Sequence, residues 1–286
     1  MIVVTGATGK LGSLVVDALL RKVPAEQVAV AVRTPSNAAR FSDKGAQVRH
    51  LDYAKPETLR PALAGAAKVL LISSNDLEQR LAQHYAVVDA AKAEQVPHLV
   101  YTSMMGAETA RMELAKPHQA TERRIRESGL AFTILRNGWY IENHTEALGA
   151  ALAHGAILGA AGEGRFASAS RSDLAEAAAA VLAGSGHENK TYELPGDAPY
   201  TLAELAEMTS QVSGKTVTYR NLPQADYAAA LVGFGLPPVY AGILADADAW
   251  AAKGELDAAP GSGDLRALTG HASTTLADAV RAALAG

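Results

Sequence analysis

Short, unbroken apolar runs alternate along this chain with longer stretches in which apolar residues recur every three or four positions. The runs fall at residues 2–5, 28–32, 47–53, 68–74, 98–103 and 131–135. They are continuous rather than alternating, as in strands covered on both faces. Between them lie helical patterns at 13–22, 56–66, 77–95 and 117–128. Pro56 stands near the start of the second pattern and Gly65 near its end, which is where these residues suit a helix. In the third, Leu77, Leu81, Tyr85, Val88 and Ala91 share one face. Strands that alternate with helices predict an α/β protein built on a doubly wound parallel sheet. A ligand of such a sheet lies over the carboxyl ends of its strands.

The rhythm changes after Arg136. Ser172 and Asp173 open an alanine-rich helix running to Ala183, and residues 191–194 and 217–222 read as strands. Thr201 caps another helix, with Glu204 completing a capping box. Residues 224–231 and 238–252 look helical, and Ser273 or Thr274 caps a last helix over 276–285. The expected organisation is a sheet domain over 1–136, to which later segments return, and a smaller, mainly helical lobe over 137–286.

The most informative stretch is the first. The strand at 2–5 runs through Gly6, Gly9 and Gly12 directly into a helix. Such a corner points unpaired helix N–H groups, and the positive end of the helix dipole, at whatever lies above the strand. A pyrophosphate suits that place if no side chain blocks its approach. Gly6 permits the tight turn, Gly9 the close backbone approach and Gly12 the packing of helix on strand. The candidate cradle is Gly6, Ala7, Thr8, Gly9, Lys10 and Leu11. The competing reading is a strand–turn–helix with no ligand.

In a dinucleotide fold, the end of the second strand faces the adenosine ribose, and an acid there binds the ribose hydroxyls of NAD. Here the strand ends in Arg33, with no Asp or Glu over 28–34. A guanidinium suits a 2′-phosphate instead, so NADP is favoured over NAD, with Lys10 adding charge. A solvated strand-end arginine is the alternative. Asp52 could accept from the adenine amino group or simply open a loop. Ser73, Ser74 and Asn75 follow the fourth run, near the nicotinamide half, although Ser and Asn are also common turn residues.

Composition narrows the classes. The chain has 286 residues, 49% hydrophobic and 20% charged, an ordinary globular balance. A net charge of −4 with interspersed signs gives no support to nucleic-acid binding. The absence of cysteine excludes disulfides, thiolate metal sites and cysteine nucleophiles. The eight histidines show no metal-ligand spacing. With the first strand beginning at Ile2 and no bilayer-length apolar run, the expectation is a cytoplasmic protein without a leader or a membrane span.

The Gly6–Gly9–Gly12 spacing resembles the extended and atypical branches of the short-chain dehydrogenases. The usual members carry Tyr-x-x-x-Lys, whose tyrosine is the general acid. None of the nine tyrosines here has a lysine four residues later. Alcohol dehydrogenation by that route therefore loses support. A quinone fits better, because it accepts hydride readily, delocalises the resulting oxyanion and needs positioning more than a strong acid. An asparagine amide could stabilise the developing charge.

Further stretches carry a closer resemblance. These are residues 135–140 with Glu142 and Asn143, residues 71–74, 101–103 and 159–162, and the regions around 185–188 and 236–237. Together they are similar to the NmrA-like atypical short-chain dehydrogenases, in particular the branch that reduces quinones and triphenylmethane dyes with NADPH. The resemblance implies an NADP-binding Rossmann domain, a small carboxyl-terminal domain and a cleft between them for a quinone or another flat acceptor, with no flavin and no metal.

Carried over residue by residue, it adds Asn137, Gly138, Trp139, Tyr140, Ile141 and Glu142 to the cofactor set. Asn137 becomes the group that orients the acceptor, and His118 a weaker candidate for supplying a proton. The stretch 108–116 and His118 depart from the family pattern, and that loop should border the acceptor. The partner is a small molecule, not nucleic acid or membrane, and a homodimer is compatible with the reading. The alternatives are a non-catalytic NADP sensor of the NmrA type and a reductase of dyes or nitro compounds.

Overall fold

The computed structural model describes residues 1–257 and 263–285. Its first half alternates β1 (Ile2–Thr5), α1 (Lys10–Leu20), β2 (Val28–Val32), α2 (Ala39–Ser42), β3 (Gln47–His50), α3 (Leu59–Leu63), β4 (Lys68–Leu71), α4 (Arg80–Ala93), β5 (His98–Met104), α5 (Ala115–Glu127) and β6 (Ala131–Asn137). There follow α6 (Glu142–Thr145), α7 (Leu148–His154), β7 (Ala156–Gly159), β8 (Arg165–Phe166), α8 (Arg171–Ala183), β9 (Lys190–Leu194), β10 (Tyr200–Thr201) and α9 (Leu202–Ser213). The chain ends with β11 (Thr218–Asn221), α10 (Gln224–Gly233), α11 (Pro238–Ala251), α12 (Asp264–Thr269) and α13 (Leu276–Ala285).

Among the described residues the central sheet is parallel, in the order β3-β2-β1-β4-β5-β6-β9. Its direction of winding reverses between β1 and β4, which opens a crevice above their carboxyl ends. Alternate residues explain the layering. Ile2, Val4, Val28, Val30, Leu70, Val100 and Leu135 pack with α1 and α8 on one face. Val3, Ala29, Ala31, Val69, Leu71, Leu99 and Tyr101 pack with α3, α4 and α5 residues on the other. Burial on both faces is why these strands read as unbroken apolar runs.

The segment after residue 136 divides between sheet and lobe. Helix α8 packs against α1, α12 packs against α8 and β9, and β9 extends the sheet beside β6. The lobe is mainly helical. It includes two small pairs, β7 with β11 (parallel) and β8 with β10 (antiparallel), and a third apolar cluster containing Phe166, Tyr200, Leu205, Ala247 and Val280. No helix among the described residues is long and apolar enough to cross a membrane.

Several boundaries differ from the sequence pattern, for local reasons. The third strand stops at His50 and the fourth at Leu71. Beyond them the Asp52 carboxylate turns the chain by accepting from Ala54 N, and Ile72 N and Ser73 N donate to the hydroxyls of Thr5 and Thr102 instead of to a ladder. The sixth strand runs on to Asn137 because Met104 and Leu194 flank it. The 56–66 pattern splits into a 3-10 turn at Pro56–Thr58 followed by α3.

The alanine-rich helix is capped by Ser170, not by Ser172 or Asp173; the Ser170 hydroxyl accepts from Asp173 N at 3.0 Å. The last helix is capped by Thr275, whose hydroxyl accepts from Asp278 N, whereas Ser273 and Thr274 bond elsewhere. The Thr201–Glu204 capping box is present.

Candidate active site

Gly6 adopts a left-handed conformation (φ +58°), and Gly9 N closes the turn on Gly6 O at 2.9 Å. Gly9 is the N-cap of α1 and offers no side-chain cap, so the first helical N–H groups stay open to a ligand. A Cβ on Gly12 would lie 2.2 Å from Gly6 O, so this glycine is demanded by packing of helix on turn. A Cβ on Gly6 would sit 3.7 Å from Ile72 Cβ, which shows how closely the turn adjoins the end of β4.

From this corner a cleft of about 1000 Å³ runs across the carboxyl ends of the strands. One end is lined by Arg33, Thr34, Asn37, Asp52 and Tyr53. Arg33 is exposed there and makes no ion pair with any described residue. Tyr53 ties the loops together, its hydroxyl lying 2.5 Å from Thr5 Oγ1 and donating to Ile72 O. Asp52 uses one oxygen for its turn, so the loop-opening reading holds for that oxygen.

At the middle of the cleft Lys10 is not a free charge. Its ammonium meets Glu146 at 2.6 Å, and Glu146 in turn accepts from Arg171 at 2.8 Å. This chain of charges bridges the glycine turn and the lobe.

The other end is lined by Ser73, Ser74, Asn75, Arg80, Gln83, Met105, Leu114, His118, Asn137, Gly138, Trp139, Tyr140, Tyr240 and Ile243. Tyr240 reaches from α11 to donate to Asn75 O at 2.7 Å, joining lobe and sheet. Within the 108–116 stretch, Leu114 lines the cleft. Arg111 and Glu113 instead fasten the loop to Glu255 and Asp246 of the lobe.

Asn137 is held from below. Its carbonyl accepts from Met105 N, and Gly138 N donates to Leu194 O. Beside it Arg136 is buried with a bidentate pair to Glu122 (3.0 and 2.7 Å) and a third bond to Glu193 at 2.9 Å. Burial alone would raise the Glu122 carboxyl, but the bonds from Arg136 and Ser103 outweigh it and hold Glu122 below the usual carboxylate range. The Asn137 amide is fixed only by a long 3.4 Å bond to the Tyr140 hydroxyl, and its Oδ1 is buried without a partner. Ser73 Oγ and Trp139 Nε1 are also buried without hydrogen bonds. Orphaned polar atoms on a cleft wall mark where a polar ligand completes the site.

A polar relay lies behind that wall. Ser74 N donates to His84 Nε2 at 2.9 Å, which assigns the His84 proton to Nδ1, facing Thr121 Oγ1. Burial and the adjacent Arg80 charge push His84 down to about 3. Tyr101 lies 2.7 Å from His118 Nδ1, and burial, with Arg80 and His84 adding to it, holds His118 well below its ordinary value. His118 is thus a neutral imidazole at physiological pH. It lines the cleft and can offer a hydrogen bond there.

Of the residues expected at the site, Gly6, Thr8, Gly9, Lys10, Leu11, Arg33, Asp52, Ser73, Ser74, Asn75, His118, Asn137, Gly138, Trp139 and Tyr140 line this one cleft. Ala7, Ile141 and Glu142 lie behind it. Ala7 is fully buried in the core, Ile141 packs in the lobe cluster, and Glu142 accepts from Arg171 N at the start of α8. Gly138 has a packing reason to be glycine, since a Cβ there would meet Ala167 O and Leu194 O at 2.9 Å. The sequence reading missed Arg80, Gln83, Glu146, Arg171 and Tyr240. The buried face of α4 includes Arg80, Gln83 and His84, and an apolar-stripe reading passes over polar residues.

A family model described as NAD(P)H-binding matches residues 6–184. Quinone oxidoreductase 2 of Escherichia coli strain K12 is 48% identical over 280 residues, covering 98% of this chain and 97% of that protein. The crystal structure of NADPH-dependent quinone oxidoreductase from E. coli complexed with NADPH superposes with a TM-score of 0.95 at 47% identity, covering 99% of this chain and 100% of that one. Triphenylmethane reductase from Citrobacter sp., complexed with NADP(H), gives a TM-score of 0.94 at 42% identity with the same coverage.

Proposed function

Because the chain belongs to the NAD(P)H-binding family that includes quinone oxidoreductase 2, we propose that it is an NADPH-dependent quinone oxidoreductase. The observation that carries the reading is one cleft with two kinds of end. One end has an open glycine turn and an unpaired arginine. The other has apolar and aromatic walls around an asparagine whose amide oxygen has no partner. Full-length likeness to an enzyme of that activity supplies the acceptor class.

The residues fit the coenzyme. The α1 N-terminus and the Gly6–Gly9 turn would take the pyrophosphate, and Arg33 the 2′-phosphate that distinguishes NADPH from NADH. The orphaned Ser73 Oγ and Asn137 Oδ1 would take the carboxamide end. Bound there, reduced nicotinamide supplies the hydride. The chain's part is placement. Trp139, Tyr140 and Leu114 wall a flat acceptor, Tyr240 closes the cleft over Asn75, and the Arg136–Glu122–Glu193 cluster fixes the strand end that carries Asn137. Neutral His118 contributes a hydrogen bond rather than a proton, and a proton reaches the product from water. The acceptor in this reading is a small molecule, and the setting is the cytoplasm.

The test is oxidation of NADPH by the pure protein with 1,4-benzoquinone, followed by the absorbance of the reduced nicotinamide after subtraction of the protein-free rate. The account expects protein-dependent oxidation. NADPH binding with no oxidation would make the protein a dinucleotide sensor instead. Faster turnover with a dye or nitro compound would make it a reductase of that class.

A further inference from the structure

Two buried arginines stand near the cleft, and the fold treats them oppositely. Arg136 has three carboxylates around it, those of Glu122, Glu193 and, at 3.5 Å, Glu108. Arg80 is as deeply buried, at 7% exposure, and makes no ion pair with any described carboxylate, Asp76 acting on it only from beyond ion-pair distance. Its Nε donates to Ser74 O at 2.7 Å, but neither Nη makes a hydrogen bond or an ion pair with any described residue. The side chain lines the cleft.

The groups that face it are the hydroxyls of Tyr101, Tyr140 and Tyr240, the imidazoles of His84 and His118, and Asp76. Asp76 directs its oxygens to Gln79 N and Gln83 Nε2. The imidazoles stay neutral, and burial holds the Tyr101 and Tyr140 hydroxyls protonated. A fixed cation with free donors therefore looks into the acceptor end of the cleft. A buried charge without a partner is strongly unfavourable, and such an arrangement is normal only where a ligand brings the opposite charge.

We propose that Arg80 is the anion-stabilising group of the acceptor site, donating through its Nη atoms to the acceptor oxygen that becomes negative on reduction. This rests on the reading that NADPH reduces a quinone in this cleft. Hydride arrives from the reduced nicotinamide, which is oxidised. The nicotinamide C4–H bond breaks and a bond forms from the hydride, which carries both electrons, to one quinone oxygen. The ring becomes aromatic as the π pair of the opposite carbonyl moves onto its oxygen, and the resulting hydroquinone monoanion takes one proton from water. Arg80 meets charge that is absent from the neutral quinone and present in the monoanion, so its bond strengthens along the reaction. The substrate class follows: neutral acceptors that become oxyanions are favoured. A triarylmethyl cation, which hydride converts to a neutral product, gains nothing from Arg80.

The experiment compares wild type, Arg80→Gln and Arg80→Lys as full-length protein. Three readouts are used: NADPH affinity, turnover with benzoquinone against turnover with a triarylmethyl dye, and binding of 4-nitrophenolate to the protein–NADP⁺ complex. Arg80→Gln should lower kcat/KM for the quinone roughly 100-fold, abolish phenolate binding, leave NADPH affinity close to wild type and not lower dye reduction. Arg80→Lys, which keeps the charge, should recover part of both lost signals.

Unchanged quinone turnover in Arg80→Gln overturns the proposal. So does an equal loss with quinone and dye, or a loss of NADPH affinity as large as the loss of turnover. If the variants fail to fold, wild-type protein that does not bind the phenolate overturns it as well. Wild type that binds phenolate but does not oxidise NADPH with any quinone would support the anion site while overturning the enzymatic reading.

Discussion

Replacing Arg33 with alanine should separate NADPH from NADH. The guanidinium lies exposed at the end of the cleft beside Thr34 and Asn37, and no described carboxylate competes for it. A charge-assisted hydrogen bond to a phosphate contributes about 1.5–3 kcal/mol, and solvent screening at an exposed site favours the lower end. The expected loss in NADPH affinity is therefore on the order of tenfold or somewhat more. NADH lacks the 2′-phosphate, so its affinity should barely change. Because Arg33 makes no hydrogen bond or ion pair with any described residue, stability should move by less than about 0.5 kcal/mol. Lys10→Ala is the control: that ammonium is already committed to Glu146 at 2.6 Å, so it should discriminate much less between the coenzymes. Calorimetric titration of both variants with both coenzymes, alongside a thermal melt, makes the measurement. Equal weakening of NADPH and NADH by Arg33→Ala would refute the phosphate assignment.

Asn137→Ala should lower kcat about tenfold or more and weaken NADPH by a smaller factor, the loss of one hydrogen bond to its carboxamide; steady-state kinetics with a coenzyme titration would show this, and unchanged turnover would remove Asn137 from the mechanism. Gly12→Ala places a Cβ 2.2 Å from Gly6 O, so it should cost about 1–3 kcal/mol in a denaturant melt and weaken NADPH by spoiling the turn. Asp248 gives a pH prediction: burial raises its carboxyl to about 7, against the lowering effect of Ala160 N. A raised acid binds its proton more tightly folded than unfolded, so this group's stabilisation is fully present in acid and is lost as pH rises from about 4 towards 7. Melting temperatures of wild type and Asp248→Asn should accordingly diverge in favour of the variant between pH 5 and 8, and parallel curves would contradict this.

What the sequence made legible follows from how each feature is encoded. Strands such as Val28–Val32 are covered on both faces and could be read as plain apolar runs, and the glycine turn announced its chemistry because Gly6 answers a left-handed turn and Gly9 and Gly12 answer close backbone contacts. Arg33 was visible because an acid was missing where one was expected. Arg80 was not. The 77–95 pattern was read through Leu77, Leu81 and Tyr85, yet the helix starts at Arg80 and buries Arg80, Gln83 and His84. Its first turns run beneath a polar cleft, where the periodicity of buried positions is carried by polar side chains. Tyr240, Glu146 and Arg171 reach the site only through the return of the lobe, and no local pattern foretells a contact 165 residues apart such as Tyr240 with Asn75. The short strands β7 and β8 are too brief to show a period, and they exist because β11 and β10 pair with them.

Direct hydride transfer from nicotinamide to a quinone is the claim on which the account stands. Its most direct measurement is the single-turnover oxidation of NADPH deuterated separately on each face of nicotinamide C4, in flavin-free protein with benzoquinone. The account predicts that deuterium on one face slows the protein-dependent rate severalfold and that deuterium on the other leaves it nearly unchanged. Equal rates for both labels, or no protein-dependent oxidation while NADPH remains bound, would contradict it.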